Sequence, residues 1–206
     1  MSIGKINIHR NIEINNELHT FALQSFNEAD IPKFKLYWDA WLILRNISAD
    51  AGNRAPNLAE YFTEGLVALM TGSARRVSQA YAKANDSSVR FTPKGKKHGD
   101  NLQLDPLITS EVKSSTIQSD CTQLSPGVHK LDLYYFIHFY NNGNLDGTFD
   151  IYQFSPDLLK SIIVCEGKNE TIQDQIDQGR RPRFSFLTEI LTPNNISPIY
   201  SKVKLW

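Results

Sequence analysis

Three charged residues in one short stretch have the types and spacing needed for phosphodiester chemistry. Asp100, Glu111 and Lys113 lie in "GDNLQLDPLITSEVKSS", where two short apolar runs are joined by Asp-Pro. Both runs are typical of buried strands, and burying uncompensated charges there costs several kcal/mol. A divalent cation would compensate the two carboxylates, and magnesium is favoured because it prefers oxygen ligands.

Strand geometry predicts how these side chains converge. Side chains alternate along a strand, so Glu111 and Lys113 share one face and Val112 lies on the other. If "NLQL" is the preceding strand and Asp-Pro the turn, antiparallel pairing brings Asp100 close to Glu111. We therefore predict a magnesium site formed by the carboxylates of Asp100 and Glu111 and the carbonyl of Val112. Lys113 would lower the pKa of a metal-bound water or position it for attack on a phosphate.

A simpler interpretation stays open, because a Glu-x-Lys pair is also common on the exposed face of an antiparallel sheet. The context favours chemistry. A helix in "APNLAEYFTEGLVALMTGSARR" carries Glu60 and Glu64 one turn apart. A third acid from a packed helix is a natural further ligand or water-binding group.

The surrounding elements read as a helical N-terminal third, a β-meander and a mixed tail. "IPKFKLYWDAWLILRNIS" has apolar residues at helical spacing after Pro32, and Asn57 is a plausible N-cap for the second helix. "LDLYYFIHFY" and "GTFDIYQF" read as strands around a hairpin turn. "SPDLLKSII" reads as a short helix capped by Ser155. The predicted buried residues of the two long helices include Phe34, Tyr37, Trp38, Trp41, Leu42, Leu44, Leu58, Tyr61, Phe62, Gly65, Leu66, Leu69 and Met70.

Length and composition predict a single domain, residues 1–206, located in the cytoplasm. The chain has 206 residues, 41% of them hydrophobic, with 22 basic and 22 acidic residues. This zero balance does not by itself indicate a nucleic-acid partner. No apolar run is long enough for a membrane span, and Cys121 and Cys165 lack the spacing of a zinc site.

The distribution of charge nevertheless indicates double-stranded DNA as the partner. "QDQIDQGRRPRF" combines the side-chain types that read base edges, and Gly179 and Pro182 would fix its shape. The alternative is a solvated helix that ends in a basic turn. Three lysines of a basic run and two serines after Lys113 suit phosphate contacts. The predicted DNA-binding residues are Lys94, Lys96, Lys97, Ser114, Ser115, Gln173, Gln175, Asp177, Gln178, Arg180, Arg181 and Arg183.

The Asp, Glu and Lys pattern resembles the PD-(D/E)XK nuclease superfamily. That resemblance implies an α/β fold in which a mixed sheet is flanked by helices. Here Gly99 replaces the usual Pro before the first acid. This departure leaves Asp105 as a rival to Asp100, although Asp105 is better explained as a turn residue.

The ordered blocks "EVKSST", "LDLYYFIHFY", "DGTFDIYQF" and "ETIQDQIDQGRRPRF" are similar to a small group of type II restriction endonucleases that cut GCNGC sites. The similarity covers roughly residues 57–191. It implies a magnesium-dependent, site-specific endonuclease of a prokaryotic restriction-modification system, which leaves 5′-phosphates. Because a palindromic site presents two equivalent phosphates, we also expect a homodimer with two-fold symmetry. A cognate DNA methyltransferase would act on the same site without a stable complex. In that group the helix acid stands at the position of Glu64, which is therefore preferred over Glu60.

Two other functions remain as alternatives. A repair or junction-resolving nuclease on the same fold would share the metal site and differ in its substrate. A DNA-binding protein without catalysis would carry the same hairpin, but its charged residues would have no catalytic role.

Overall fold

The computed structural model describes residues 5–14, 17–76, 87–90, 108–116, 122–123, 133–140, 145–165, 167 and 169–206. Asp100, the strand predicted in "NLQL", its Asp-Pro turn and the phosphate-binding lysines at 94, 96 and 97 lie outside these ranges. The chain divides into two compact units, residues 1–109 with 204–206, and residues 110–203. The prediction of one nuclease domain stays a prediction.

The first unit contains four strands and two long helices. They are β1 (Lys5–Ile14), β2 (Glu17–Ser25), α1 (Ile31–Asp50), α2 (Glu60–Thr71), β3 (Ala74–Arg76) and β4 (Ser87–Arg90). The strands pair antiparallel in the order β1-β2-β3-β4. The prediction of a helical N-terminal third was therefore incomplete, because β1 and β2 precede the helices. The isoleucines that recur at alternate positions in "KINIHRNIEI" are the strand signal that was missed.

Helix α1 confirms the predicted helix and separates its apolar residues onto two faces. Phe34, Trp38 and Trp41 are buried, and the ring of Trp38 stacks on Phe62 of α2 with centroids 6.2 Å apart. The opposite face is exposed: Leu44, predicted to be buried, is 56% exposed. One face of α1 thus forms the core of the first unit, and the other contributes nothing to it.

Helix α2 starts later than predicted. Its N-cap is Ala59, without a side-chain cap, whereas the predicted cap, Asn57, is exposed. The hydroxyl of Tyr37 accepts a hydrogen bond from the Ala59 amide at 3.0 Å and so fixes the helix start instead. Gly65 permits close packing, because a Cβ there would lie 3.0 Å from the Phe34 ring. Residues 62–68 are buried without interruption, so α2 is a core helix on all sides at its centre.

The second unit begins within β5 (Ile108–Ser115) and is built around a mixed sheet. Its other elements are β6 (Thr122–Gln123), β7 (Leu133–Phe139), β8 (Phe149–Phe154), β9 (Ile163–Cys165), β10 (Glu170–Thr171), α3 (Ile172–Asp177), β11 (Arg183–Phe184) and β12 (Tyr200–Val203). The sheet order is β5-β7-β8-β12. Strand β5 runs parallel to β7, whereas β7–β8 and β8–β12 are antiparallel. The predicted meander is therefore wrong between β5 and β7, because a parallel pair needs a crossover connection.

Short helices cover one face of this sheet. They are a 3-10 helix (Pro156–Ser161), α3 and a π-helix (Phe186–Leu191). The Ser155 side chain accepts a hydrogen bond from the Asp157 amide, which confirms the predicted cap. The core beneath these helices contains Tyr134, Phe136, Tyr152, Phe154, Leu159, Ile172, Phe184, Phe186, Ile190 and Leu191.

The fold class is confirmed as a mixed sheet flanked by helices, consistent with a restriction-endonuclease-like fold. Within the described ranges, no helix has an apolar stretch of the length needed to cross a bilayer.

Candidate active site

Strand β5 brings Glu111 and Lys113 together on one face. The Lys113 Nζ lies 2.5 Å from Glu111 Oε1, and the two side chains are 22% and 12% exposed. The buried Val112 alternates between them, opposite Tyr135 of β7 in the parallel register. The pair is thus a charge-assisted contact at the margin of the protein interior, accessible from one side.

The register also sets the surroundings of this pair. Tyr134 lies beside Glu111 on β7, and Phe136 lies beside Lys113. Burial, and then the negative charge of Glu111, raise the pKa of Tyr134 far above its ordinary value. The neighbour of Glu111 is therefore a neutral phenol at physiological pH, and Lys113 supplies the compensating positive charge.

A hard cation fits the chemistry of these donors. The carboxylate of Glu111 and the backbone carbonyl of Val112 offer oxygen ligands of the kind that magnesium prefers. Among the residues that the structure describes, no group of three His, Cys, Asp or Glu side chains is arranged to hold a metal. Asp100, the predicted second acid, lies outside that part of the chain.

Glu64, the predicted helix acid, is buried in the first unit. It is 4% exposed, and its Oε2 lies 2.5 Å from the Nε of Arg75 on β3. Glu60 is exposed one turn earlier. The preference for Glu64 over Glu60 stays a prediction, and the partner of Glu64, Arg75, was not predicted from the sequence.

A buried polar row continues along the face that carries Lys113. The Ser115 Oγ lies 3.3 Å from His138 Nδ1, and His138 pairs with Asp150 in the β7–β8 register. Asp150 accepts hydrogen bonds from the hydroxyls of Tyr140 and Tyr152, at 2.6 and 3.2 Å. Burial lowers the pKa of His138, and Asp150 partly opposes that shift. The DNA-backbone contact predicted for Ser115 is therefore wrong, because its hydroxyl lies inside the protein against His138.

The predicted base-reading segment is a short helix closed by a Schellman turn. Helix α3 starts with a capping box between Thr171 and Asp174. At its end, the Arg180 amide donates to the Gln175 carbonyl at 2.8 Å, and the Gly179 amide donates to the Ile176 carbonyl at 2.9 Å. Gly179 has φ +71°, which glycine adopts without strain. The segment is thus a short helix that ends in a basic turn, as in the alternative interpretation of the sequence, and its proposed role in base reading stays a prediction.

Several predicted base-reading side chains are held by neighbours. Arg180 Nη2 lies 2.5 Å from Glu170 Oε2, and Gln175 Nε2 lies 3.5 Å from the same oxygen. Gln173 donates to Asp177 at 2.6 Å. Glu170 was not predicted from the sequence, although it stands directly before the capping box of α3. Exposed members of the predicted set are Asp177, Gln178, Arg180, Arg181 and Arg183.

Comparison with known proteins identifies the family of this chain. The sequence profile of the Bsp6I restriction endonuclease family matches residues 26–193. The chain belongs to this family. It is 28% identical over 190 residues to the type II restriction enzyme Bsp6I of Bacillus sp. (strain RFL6), an alignment that covers 89% of this chain and 95% of the relative. No solved structure matches the chain.

The protein is therefore a type II restriction endonuclease, a site-specific deoxyribonuclease of a restriction-modification system. The Glu111–Lys113 pair and the loop at 170–183 both fall inside the matched range. Family membership favours this function over the repair nuclease and over the non-catalytic DNA-binding protein. Type II restriction enzymes generally use a divalent metal ion.

Proposed function

We propose that this endonuclease hydrolyses both strands of double-stranded DNA at a GCNGC site, through a magnesium-dependent PD-(D/E)XK centre on β5. The observation that carries the proposal is the 2.5 Å contact between Glu111 and Lys113 on one strand face. The Glu111 carboxylate is a ligand for a hard cation, and the neighbouring Lys113 ammonium is a hydrogen-bond donor for a phosphate oxygen or a water.

The chain's own residues take distinct roles in this proposal. The carboxylates of Asp100 and Glu111 and the carbonyl of Val112 would hold magnesium, which would supply charge neutralisation at the reacting phosphate. Lys113 would orient the attacking water and stabilise the negative charge that develops on the phosphate. Glu64 is the helix acid that supports the site. The water would lose a proton to solvent as its oxygen bonds to phosphorus, the bond from phosphorus to the 3′ oxygen would break, and that oxygen would take up a proton from solvent, so the products carry a 5′-phosphate and a 3′-hydroxyl.

Recognition is proposed to divide between bases and phosphates. Guanine is read by bidentate donors such as Arg, and cytosine N4 donates to carboxylates, so a site of G and C suits a loop rich in both. The base-reading residues are Gln173, Gln175, Asp177, Gln178, Arg180, Arg181 and Arg183. Lys94, Lys96, Lys97 and Ser114 contact phosphates and contribute affinity without sequence information.

We further propose that the enzyme acts as a homodimer through an exposed stripe on α1. Leu36, Ile43, Leu44 and Ile47 are 67%, 60%, 56% and 60% exposed and recur at helical spacing on one side. Two copies of α1 packed antiparallel would bury this stripe against itself.

The stripe proposal is tested by the stoichiometry of the complex. In sedimentation with a GCNGC duplex, the wild type should bind as two subunits per site, because a palindrome presents two equivalent phosphates. Ile43→Lys should bind as one and accumulate nicked circles before linear product. Asn46→Lys, exposed outside the stripe, is the control. Two subunits per site for Ile43→Lys would exclude this interface.

Digestion of plasmid DNA tests the central proposal. Magnesium or manganese should support cutting, EDTA should abolish it, and calcium should support binding without turnover. Sequencing of the product ends should place every cut within GCNGC. Cutting that continues in EDTA would refute the metal site, and discrete cuts at another sequence would refute GCNGC alone.

The proposed setting is the prokaryotic cytoplasm, where a cognate DNA methyltransferase modifies the same site. It would protect host DNA by altering the bases that the loop reads, without forming a stable complex with this enzyme. Resistance of GCNGC-methylated plasmid to digestion tests that arrangement.

A further inference from the structure

Glu170 occupies an unusual place beside the loop proposed to read bases. It lies in β10, which pairs with β9 through Cys165, and its side chain is 17% exposed. Arg180, its partner, is 43% exposed. The carboxylate is thus the inner, anchored member of the pair, and the guanidinium is the outer member that faces solvent.

The backbone of the loop delivers two side chains to this carboxylate. The Schellman turn joins residues 175 and 180 by a main-chain hydrogen bond of 2.8 Å, so both side chains leave the turn near each other. Gln175 Nε2 and Arg180 Nη2 both approach Glu170 Oε2, at 3.5 and 2.5 Å. Backbone and side chain therefore fix the direction of the guanidinium before any DNA is present.

Charge separates Arg180 from the neighbouring arginines. The Glu170–Arg180 pair has no net charge, so it gains little from the phosphate backbone, whose attraction depends on uncompensated cations. A guanidinium has five N–H donors in a rigid fork, and one carboxylate oxygen leaves others for a planar base edge. Arg181 and Arg183 are also exposed on the same loop.

We propose that Glu170 is a positioning residue that presents Arg180 to the O6 and N7 atoms of one guanine in the recognition site. This inference rests on the proposed function of the loop as the base reader. Arg180 then contributes to discrimination between sequences and adds little to general affinity. Glu170 acts through Arg180 and does not itself touch the base.

The test is a competition titration of full-length variants in calcium, at one fixed salt concentration. The probes are a GCNGC duplex, the same duplex with 7-deazaguanine at each guanine in turn, and a duplex of random sequence. Glu170→Ala and Arg180→Ala should each lower the cognate-to-random affinity ratio about tenfold. The slope of affinity against salt should stay unchanged. Glu170→Gln should recover part of the ratio, because its amide oxygen still accepts from Arg180.

The modified duplexes identify the contact itself. Removing N7 from one particular guanine should weaken wild-type binding, and the same removal should have little further effect on Glu170→Ala, because the contact is already lost. Asp157→Asn, which removes an exposed ion pair with Lys160 outside the loop, should behave as the wild type.

Two results overturn the inference, and they differ from failure of the proposed function. If Glu170→Ala lowers only the melting temperature, or lowers cognate and random affinity equally, Glu170 is structural and the inference is wrong. If every 7-deazaguanine duplex weakens Glu170→Ala as much as the wild type, Arg180 reads no N7 and the inference is also wrong. If the wild type shows no preference for GCNGC over random DNA, the proposed recognition fails first and takes this inference with it.

Discussion

Two glutamates of this endonuclease form ion pairs of equal length, but the two pairs join different parts of the fold. Glu64 and Arg75 are joined across 2.5 Å between α2 and β3, with side chains 5% and 19% exposed. Glu111 and Lys113 are joined across 2.5 Å within β5, with side chains 12% and 22% exposed. The first pair links two elements, and the second links alternate residues of one strand.

The choice of cation follows from that difference. Arg is charged at all accessible pH values and keeps a fixed planar geometry, which suits a permanent clasp between a core helix and a strand. Lys is a compact point charge on a long stem, whose pKa shifts readily and whose head moves without disturbing the backbone. We therefore expect Glu64–Arg75 to stabilise the fold in addition to any role of Glu64 in the reaction, whereas Glu111–Lys113 can open for chemistry.

The largest expected effect comes from the pair on β5. Lys113→Ala should lower the rate of cutting by about 10³-fold or more, because it removes a positioned charge from the reacting phosphate. Its circular dichroism spectrum should match the wild type, since in the part of the chain that the structure describes the Lys113 side chain pairs within its own strand. Lys160→Ala, which removes an exposed lysine from a surface ion pair, is the matched control and should cut normally. Wild-type cutting by Lys113→Ala would show that this pair is only a solvated surface contact.

Disruption of the Glu64–Arg75 pair in the first unit should instead lower the stability of the fold. Glu64→Gln should lower the free energy of unfolding by about 3–5 kcal/mol, because it leaves the charge of Arg75 partly buried without its partner. Urea denaturation measures this loss. Glu64→Gln combined with Arg75→Met removes both charges and should recover most of the stability.

The same double variant decides whether Glu64 also serves the reaction. If it is folded and still fails to cut, Glu64 supports the active site, as proposed. If it is folded and cuts at the wild-type rate, Glu64 is only structural and leaves the catalytic set. Glu60→Gln, which changes an exposed acid one turn earlier, is the control and should alter neither property.

These two pairs also mark what a sequence can predict. The common face of Glu111 and Lys113 followed from the period of a strand, which is a local property. The buried face of α1 and the cap at Ser155 followed from local spacing in the same way. The Glu64–Arg75 contact and the parallel pairing of β5 with β7 depend on which distant segments meet, and no local pattern records that choice.

The same limit explains which contacts of the predicted DNA-binding residues were missed. Ser115 has the side chain of a phosphate ligand, but the partner strand places His138 against it and buries both. Arg180 has the side chain of a base reader, and its ion pair with Glu170 was invisible because that pair forms only when α3 ends in its Schellman turn. In both cases the residue type was known from the sequence, but the partner of the side chain was not predictable.

A smaller effect is expected from His138, which is buried on the face of the sheet that also carries Lys113. His138 is buried between Ser115 and Asp150, with Tyr140 and Tyr152 also bonded to Asp150. Burial lowers the pKa of His138 below its ordinary 6.5. Below about pH 6.5 the unfolded chain therefore binds this proton more readily than the folded chain, and the free energy of unfolding falls as pH decreases.

His138→Gln should remove that dependence. Between about pH 6.5 and the lowered pKa of His138, the wild type should lose up to about 1.4 kcal/mol per pH unit more than His138→Gln. Urea titrations at several pH values measure the difference, and the other histidines are common to both proteins. An identical slope for the two proteins would mean that folding does not change the pKa of His138, and the attraction of Asp150 would then offset the effect of burial.

The smallest expected effect compares two lysines of the same enzyme. Lys113 is proposed to act on the reacting phosphate and Lys96 on a distant one, so their alanine variants should fail in different assays. Lys96→Ala should weaken cognate and random DNA about equally and reduce the salt slope of binding by about 0.9, the release of roughly one counterion. Lys113→Ala should bind both DNAs nearly as tightly as the wild type in calcium while cutting neither in magnesium. A Lys96→Ala variant that binds normally but cuts slowly would move Lys96 from the phosphate-binding set to the reacting site, and the separation between charge for binding and charge for chemistry would fail.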